Sequence, residues 1–177
     1  GIIGIMGQDA ATALNPPNIA GLEVRDPKII VAEFVELLRP DVDLIVVLTH
    51  QGKTAPMQTD GEARPEIQRD IDAEIELAGF VEGIDIIFSG HADAGTEKPV
   101  VHPRTGTLIM QTYGHGFHLG YLQLRVDTTQ NRILNYEGRL IPVNSDKLEP
   151  HSGIAAKLAH YRARHEDIYE VVGYAAE

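Results

Sequence analysis

The sequence predicts a mixed α/β fold, a βαβαβ unit followed by antiparallel strands, and three observations carry that expectation. Two short, wholly apolar runs, Leu44–Leu48 and Ile86–Phe88, have the length and the lack of alternation of strands covered on both faces. Each follows a stretch of helical periodicity with a proline near its start. Beyond residue 95 the period becomes two, the mark of strands with one face on a core and the other in water.

Taken in order, Ile2-Ile3-Gly4-Ile5-Met6 reads as a buried strand ending at Gly7, and a polar Asn-Pro-Pro loop runs from about Gln8 to Gly21. Asp26-Pro27 is a helix start, a capping carboxylate before a proline at the first helical position. Ile30, Phe34, Leu37 and Leu38 then mark one apolar face, and Pro40 stops the helix. After the strand Leu44–Leu48 a long loop spans Gln51 to Arg64, a length that in compact domains goes with function or disorder. A second helix is expected from near Pro65, with Ile67, Ile71 and Ile75 four apart and Gly79 near its end. Pro103-Arg104-Thr105-Gly106 reads as a hairpin turn between Val100-Val101 and Leu108-Ile109. Gly120 to Asp127 alternates cleanly, Asp127 to Asn131 is a turn, and Ile133 to Val143 continues the meander. Ser152 is expected to cap a last helix, with Ile154, Leu158, Tyr161 and Ile168 as its stripe.

The chain has 177 residues, enough for one domain with a substantial core, and no apolar run nears the ~20 residues that cross a bilayer. It opens on a strand without an initiator Met and without a signal-peptide pattern, which suggests part of something longer. With no cysteine, any metal must be held by His, Asp, Glu, Asn or Gln. The net charge of −11 argues against a nucleic-acid partner, and an anionic substrate would need a local positive source such as a bound cation.

Both apolar runs end the same way. Leu44–Leu48 leads into Thr49-His50 with Gly52 just beyond, and Asp85-Ile-Ile-Phe-Ser-Gly-His91 is followed two residues later by Asp93. In an extended segment residues i and i+2 share a side, so His91 and Asp93 can aim at one point. Two readings stand on spacing alone. His50, His91 and Asp93 bind a divalent metal at the carboxyl edge of a sheet, where open α/β folds place ligands, or they are loop residues bonded to backbone. Other patterns fail. Gln51-Gly52-Lys53-Thr54 lacks the first glycine of a phosphate-binding loop, since Val47 stands there, and His165-Glu166 lacks the second histidine of a zinc-protease helix. There is no G-x-S-x-G elbow. His102, His151, His160 and His165 read as surface residues, and His115 and His118 as loop residues near the strand ends. Asp85 reads as fixing a strand start.

Asp85-Ile-Ile-Phe-Ser-Gly-His91-Ala-Asp93 resembles the D-x-x-x-x-G-H-x-H motif of the calcineurin-like metallophosphoesterases, and Leu48-Thr49-His50-Gln51-Gly52 resembles their other histidine motif. Thr105–Gln111 and Leu119–Leu124 are similar to the 5′-nucleotidase and UDP-sugar hydrolase branch, and Glu170-Val-Val-Gly-Tyr174 to the segment before its C-terminal domain. The resemblance implies a four-layer α/β/β/α fold with two divalent ions, Mn²⁺ or Zn²⁺ with iron as a further option, which activate a water against phosphorus. By motif, His50 and His91 would ligate one metal and Asp93, where the family usually has His, would stand at a ligand of the other. The family's D-x-H, bridging Asp and G-N-H-[DE] do not occur here. Residues 1–148 are therefore expected to be the C-terminal half of the metallophosphoesterase domain, and 149–177 a helix and linker toward an absent C-terminal domain. No catalytic side chain is expected in this chain, the metal site should be incomplete, and the remainder of the catalytic domain is needed for activity. The implied function is 5′-nucleotidase-like hydrolysis of a small phosphate ester, without nucleic acid or membrane as partner, in a periplasmic or extracellular location. The alternatives are a thiosulfohydrolase-like dimanganese enzyme and a non-catalytic α/β binding module.

Overall fold

Four parallel strands and one antiparallel edge strand form the sheet that carries both histidine motifs. The computed structural model describes residues 1–52, 70–165, 171 and 173. They comprise β1 (Ile2–Met6), α1 (Gln8–Thr12), α2 (Pro16–Ile19), α3 (Pro27–Leu38), β2 (Val46–Gln51), α4 (Asp72–Phe80), β3 (Ile86–His91), β4 (Val100–Val101), β5 (Leu108–Gln111), β6 (His118–Asp127), β7 (Arg132–Pro142) and α5 (Ser152–Arg164). Strand order is β1-β2-β3-β5-β4, with β4 the antiparallel member, and β6-β7 form a separate two-stranded antiparallel ribbon. The predicted βαβαβ-then-antiparallel plan is the observed one.

The core lies on one face of the sheet. Ile3, Val47, Ile87 and Ile109 share a register row and pack with Val31 and Val35 of α3 and Leu77 and Ala78 of α4. The opposite face is covered at the β3–β5 end, where Ile86, Leu108 and Met110 are buried. There the ribbon comes so close that a Cβ on Gly138 would overlap the Pro99 ring and lie 3.1 Å from Met110 Sδ. On β1 and β2 that face is open, with Ile2 71% and Leu48 45% exposed. Of the two runs expected to be covered on both sides, β2 is thus covered on one, whereas β3 has Ile86 and Ile87 buried on opposite faces.

Several local expectations are corrected. The Gln8–Gly21 segment holds two short helices, because Asp9-Ala10-Ala11-Thr12 has no helix breaker and buries both alanines. Asp26 does cap α3, its carboxylate accepting from the Lys28 amide at 2.9 Å with Pro27 at the first position. The buried seam of α3 is Val31 and Val35, however, while Phe34 and Leu37 face solvent. Residues of α3 at 31 and 35 meet the sheet, and the predicted stripe lies to one side of them. The expected start near Pro65 lies outside the described residues; α4 begins at Asp72, with Ile71 at its non-helical N-cap. Its buried positions are Glu74, Leu77 and Ala78, an i, i+3, i+4 set that places a carboxyl on the inward face.

The turn before β5 is as expected, with Gly106 at φ 75° and Val100 and Val101 paired to Ile109 and Leu108. Asp85 sets a strand start, its carboxylate accepting from the Ile45 amide at 2.7 Å and from Arg39 at 2.5 Å. By itself the second compact unit, Asn144–Glu177, contains α5, whose N-cap is His151 rather than Ser152. Ile154, Leu158 and Tyr161 on α5 are exposed, and Ile168 lies outside the described residues.

Candidate metal centre

β2 and β3 run parallel with His50 opposite Gly90 and Gln51 opposite His91. By register alone the two histidines would point to opposite faces of the sheet, because side chains alternate. Backbone geometry reverses that. His91 has φ 77° and Asp93 φ 55°, two non-glycine residues in the left-handed region within three positions. Gly90 leaves room beside the ring, since a Cβ there would stand 3.4 Å from His50 Nδ1. The result is that His50 Nε2 and His91 Nδ1 lie 3.2 Å apart, with ring centroids 4.7 Å apart and planes tilted by 57°. Left-handed non-glycine backbone costs of order 1–3 kcal/mol per residue and concentrates at functional sites.

The separation suits shared coordination. Two nitrogens each ~2.05 Å from a tetrahedral ion lie roughly 3.3 Å apart. His50 and His91 thus fit as two ligands of one ion, whereas a pair serving only a mutual hydrogen bond has no need of such strained backbone. Asp93 does not join them as a third donor. The left-handed backbone removes the extended geometry on which the i, i+2 expectation rested, and the carboxylate packs so closely on Gly114 that a Cβ there would collide with it. Among the described residues no group of three His, Asp or Glu side chains is placed to hold a metal. Among the described residues the arrangement is a histidine pair with a carboxylate two residues beyond His91.

Two acidic residues near the pair escape sequence reasoning. Asp9, in the first turn of α1, accepts from the Gly52 amide at 2.7 Å and lies 4.0 Å from His91 Nε2, on the far side of the ring from His50. Its signal in the sequence is faint, an acid two residues after the glycine that ends β1. Glu74 of α4 is fully buried, and burial pushes its carboxyl up from the usual 4.5 to about 7, opposed by hydrogen bonds that include Thr49 and Gln51 and reinforced by nearby Asp9. Nothing in the spacing of Ile67, Ile71 and Ile75 points to it. Of the other histidines, His102 is structural, its Nδ1 bonded within the turn to Thr105. His118 begins β6 with its ring edge against Tyr113, and His115 sits in the loop before it at φ 63°.

A cleft of about 390 Å³ opens at the carboxyl ends of β1 and β2, lined in part by Asp9, Asp26, Asp70, Asp72 and Glu76. Lys28 also lines it, but its ammonium is engaged by Glu76 at 2.6 Å. The local field is negative.

No family model matches the chain. Among curated proteins it is 30% identical over 169 residues to the 5′-nucleotidase of Vibrio vulnificus, covering 82% of this chain and 28% of that protein. The 5′-nucleotidase of Vibrio cholerae gives 28% over 169 residues, again 82% of this chain and 28% of the relative. Endonuclease YhcR of Bacillus subtilis gives 28% over 176 residues, 98% of this chain and 13% of the relative. The chain therefore spans less than a third of the length of the curated relatives it matches. Among solved structures, the sulfate thiohydrolase SoxB of Thermus thermophilus superposes with a TM-score of 0.74 at 23% identity, over 94% of this chain and 27% of that one. A 5′-nucleotidase precursor, also of Thermus thermophilus, gives 0.70 at 23% identity, over 96% and 32%. With its parallel sheet, its antiparallel ribbon and these matches, the chain has the fold of part of the 5′-nucleotidase-type metallophosphoesterases and is similar in sequence to part of the 5′-nucleotidases.

Proposed function

We propose that this chain contributes a metal-holding half-site to a phosphoester hydrolase that acts on nucleotides or related small phosphate esters. The observation that carries the reading is the 3.2 Å approach of His50 Nε2 and His91 Nδ1, made from separate strands through left-handed backbone. His50 and His91 would be two ligands of one divalent ion, and Asp93 would ligate a second. Mn²⁺ or Zn²⁺ suits the nitrogen donors, and Asp93 tilts preference toward the harder Mn²⁺. When bound, such ions supply an activated water and neutralise charge that develops on phosphoryl oxygens.

The chain's own residues supply position rather than proton transfer. β2 and β3 fix the two imidazoles, Gly90 clears space beside His50, and Gly114 admits the Asp93 carboxylate. The acidic cleft beside them would repel a phosphate ester, so cations are needed to receive it. The exposed Ile2 and Leu48 on the free face beside His50 support the further reading that another layer, carrying the remaining ligands, packs there. On this reading the remainder of the catalytic domain is required for turnover, and residues 149–177 are a helix and linker toward a further domain. A periplasmic or extracellular location fits the relatives' type and is proposed with it. No helix among the described residues is long and apolar enough to cross a membrane.

A thiosulfohydrolase-like dimanganese enzyme is the second reading, favoured by the superposition on SoxB. Calorimetric titration with Mn²⁺ tests the shared claim. Binding by the wild-type chain and its loss in His50→Ala and His91→Ala is the expected result. Equal affinity in all three would mark a binding module whose histidines are incidental. Between the two enzymes, release of phosphate from a nucleoside monophosphate by the complete catalytic domain, rather than sulfate from a sulfur ester, favours the first.

A further inference from the structure

We infer that Glu74 is a positioning residue for the histidine pair, holding the carboxyl end of β2 from beneath the sheet. The inference rests on the metal reading above, but its geometry stands apart from any ion. Glu74 is 0% exposed and projects from the first turn of α4 toward β2. Its Oε1 accepts a hydrogen bond from Thr49 Oγ1 at 3.1 Å, and Oε2 has no hydrogen-bond partner among the described residues. Thr49 and Gln51, both buried, flank His50 in the sequence and point to the helix side while His50 points to the other. A grip on Thr49 fixes the backbone next to His50 and so the direction of its imidazole.

The carboxyl is a poor choice for stability alone. Position 74 belongs to the apolar seam with Leu77 and Ala78, where a leucine would pack without desolvating an ionisable group. Among the described residues no basic side chain neutralises it; the charge that acts on it is another carboxylate, Asp9. Asp9 is tied to the same place, through Gly52 on the residue after Gln51 and toward His91 on the next strand. Two acids thus hold the end of β2, and one of them faces the His91 ring at 4.0 Å. Residues of this kind commonly change metal affinity by ~10–100-fold when removed.

The test separates positioning from packing by setting stability against site geometry. Glu74→Leu should raise the urea midpoint at pH 8 while the ring-to-ring nuclear Overhauser effect between His50 and His91 weakens and Zn²⁺ affinity falls at least ~10-fold. Glu74→Gln, whose amide oxygen can still accept from Thr49, should keep both within ~2-fold. Should Glu74→Leu fail to fold, Thr49→Val removes the other end of the hydrogen bond without touching the carboxyl and should weaken the ring contact in the same way. Unchanged ring contact in Glu74→Leu or in Thr49→Val overturns the assignment. A wild-type chain that shows the ring contact but binds no Zn²⁺ would sink the metal reading and leave the positioning role standing.

Discussion

Replacing Glu74 by Gln should remove a pH dependence of stability that the wild-type chain carries. In the folded chain the Glu74 carboxyl titrates near 7, because burial penalises its charge, while in the unfolded chain it titrates near 4.5. A raised carboxyl binds its proton more tightly when folded, so its contribution is fully present below the unfolded value and is lost as pH rises through the folded one. The full effect is about 3 kcal/mol at 1.36 kcal/mol per pH unit, and most of it falls between pH 5 and pH 8. Urea unfolding followed by circular dichroism, run on wild type and Glu74→Gln at several pH values, isolates this group because the other titrations cancel in the difference. The wild-type stability should fall relative to the variant by roughly 2–3 kcal/mol over that interval. A difference that stays flat would mean that Glu74 is solvated or paired, and the inward geometry of α4 would be wrong.

Other substitutions probe the scaffold. Leu77→Ala empties a position in the core between α4 and the sheet and should cost about 2–5 kcal/mol in the same assay. Asp85→Ala frees the Ile45 amide and removes the acid partner of Arg39, which keeps the Asp43 and Gly83 carbonyls, and should cost about 1–3 kcal/mol, with hydrogen exchange at Ile45 accelerated. Gly114→Ala should displace the Asp93 carboxylate, seen as a shift of its side-chain resonance, with the His50–His91 contact unchanged.

The elements are legible where local chemistry decides them. Asp26-Pro27 writes the start of α3, Pro103–Gly106 writes the β4–β5 turn, and the two apolar runs write β2 and β3. Which side of a helix faces inward is less so. On α3 the sequence offers apolar residues at 29, 30, 31, 34, 35, 37 and 38, and only packing against the sheet selects Val31 and Val35. On α4 the buried seam includes an acid, which no hydrophobic pattern can reveal. The histidine pair is found by its strand-end positions, yet the reason its rings meet is hidden. Ideal alternation sets His50 and His91 on opposite faces, and only the left-handed backbone at His91 brings them together. That same turn separates Asp93 from the direction an extended strand would have given it.

The most direct test of the central claim is a Zn²⁺ titration of the wild-type chain, followed by the imidazole nitrogen resonances of every histidine. The nitrogens of His50 and His91 should shift together along one isotherm that saturates with a single ion, while His102 and His160 stay in place. Independent shifts of His50 and His91, or no shift in either, would contradict a shared ion at the ends of β2 and β3.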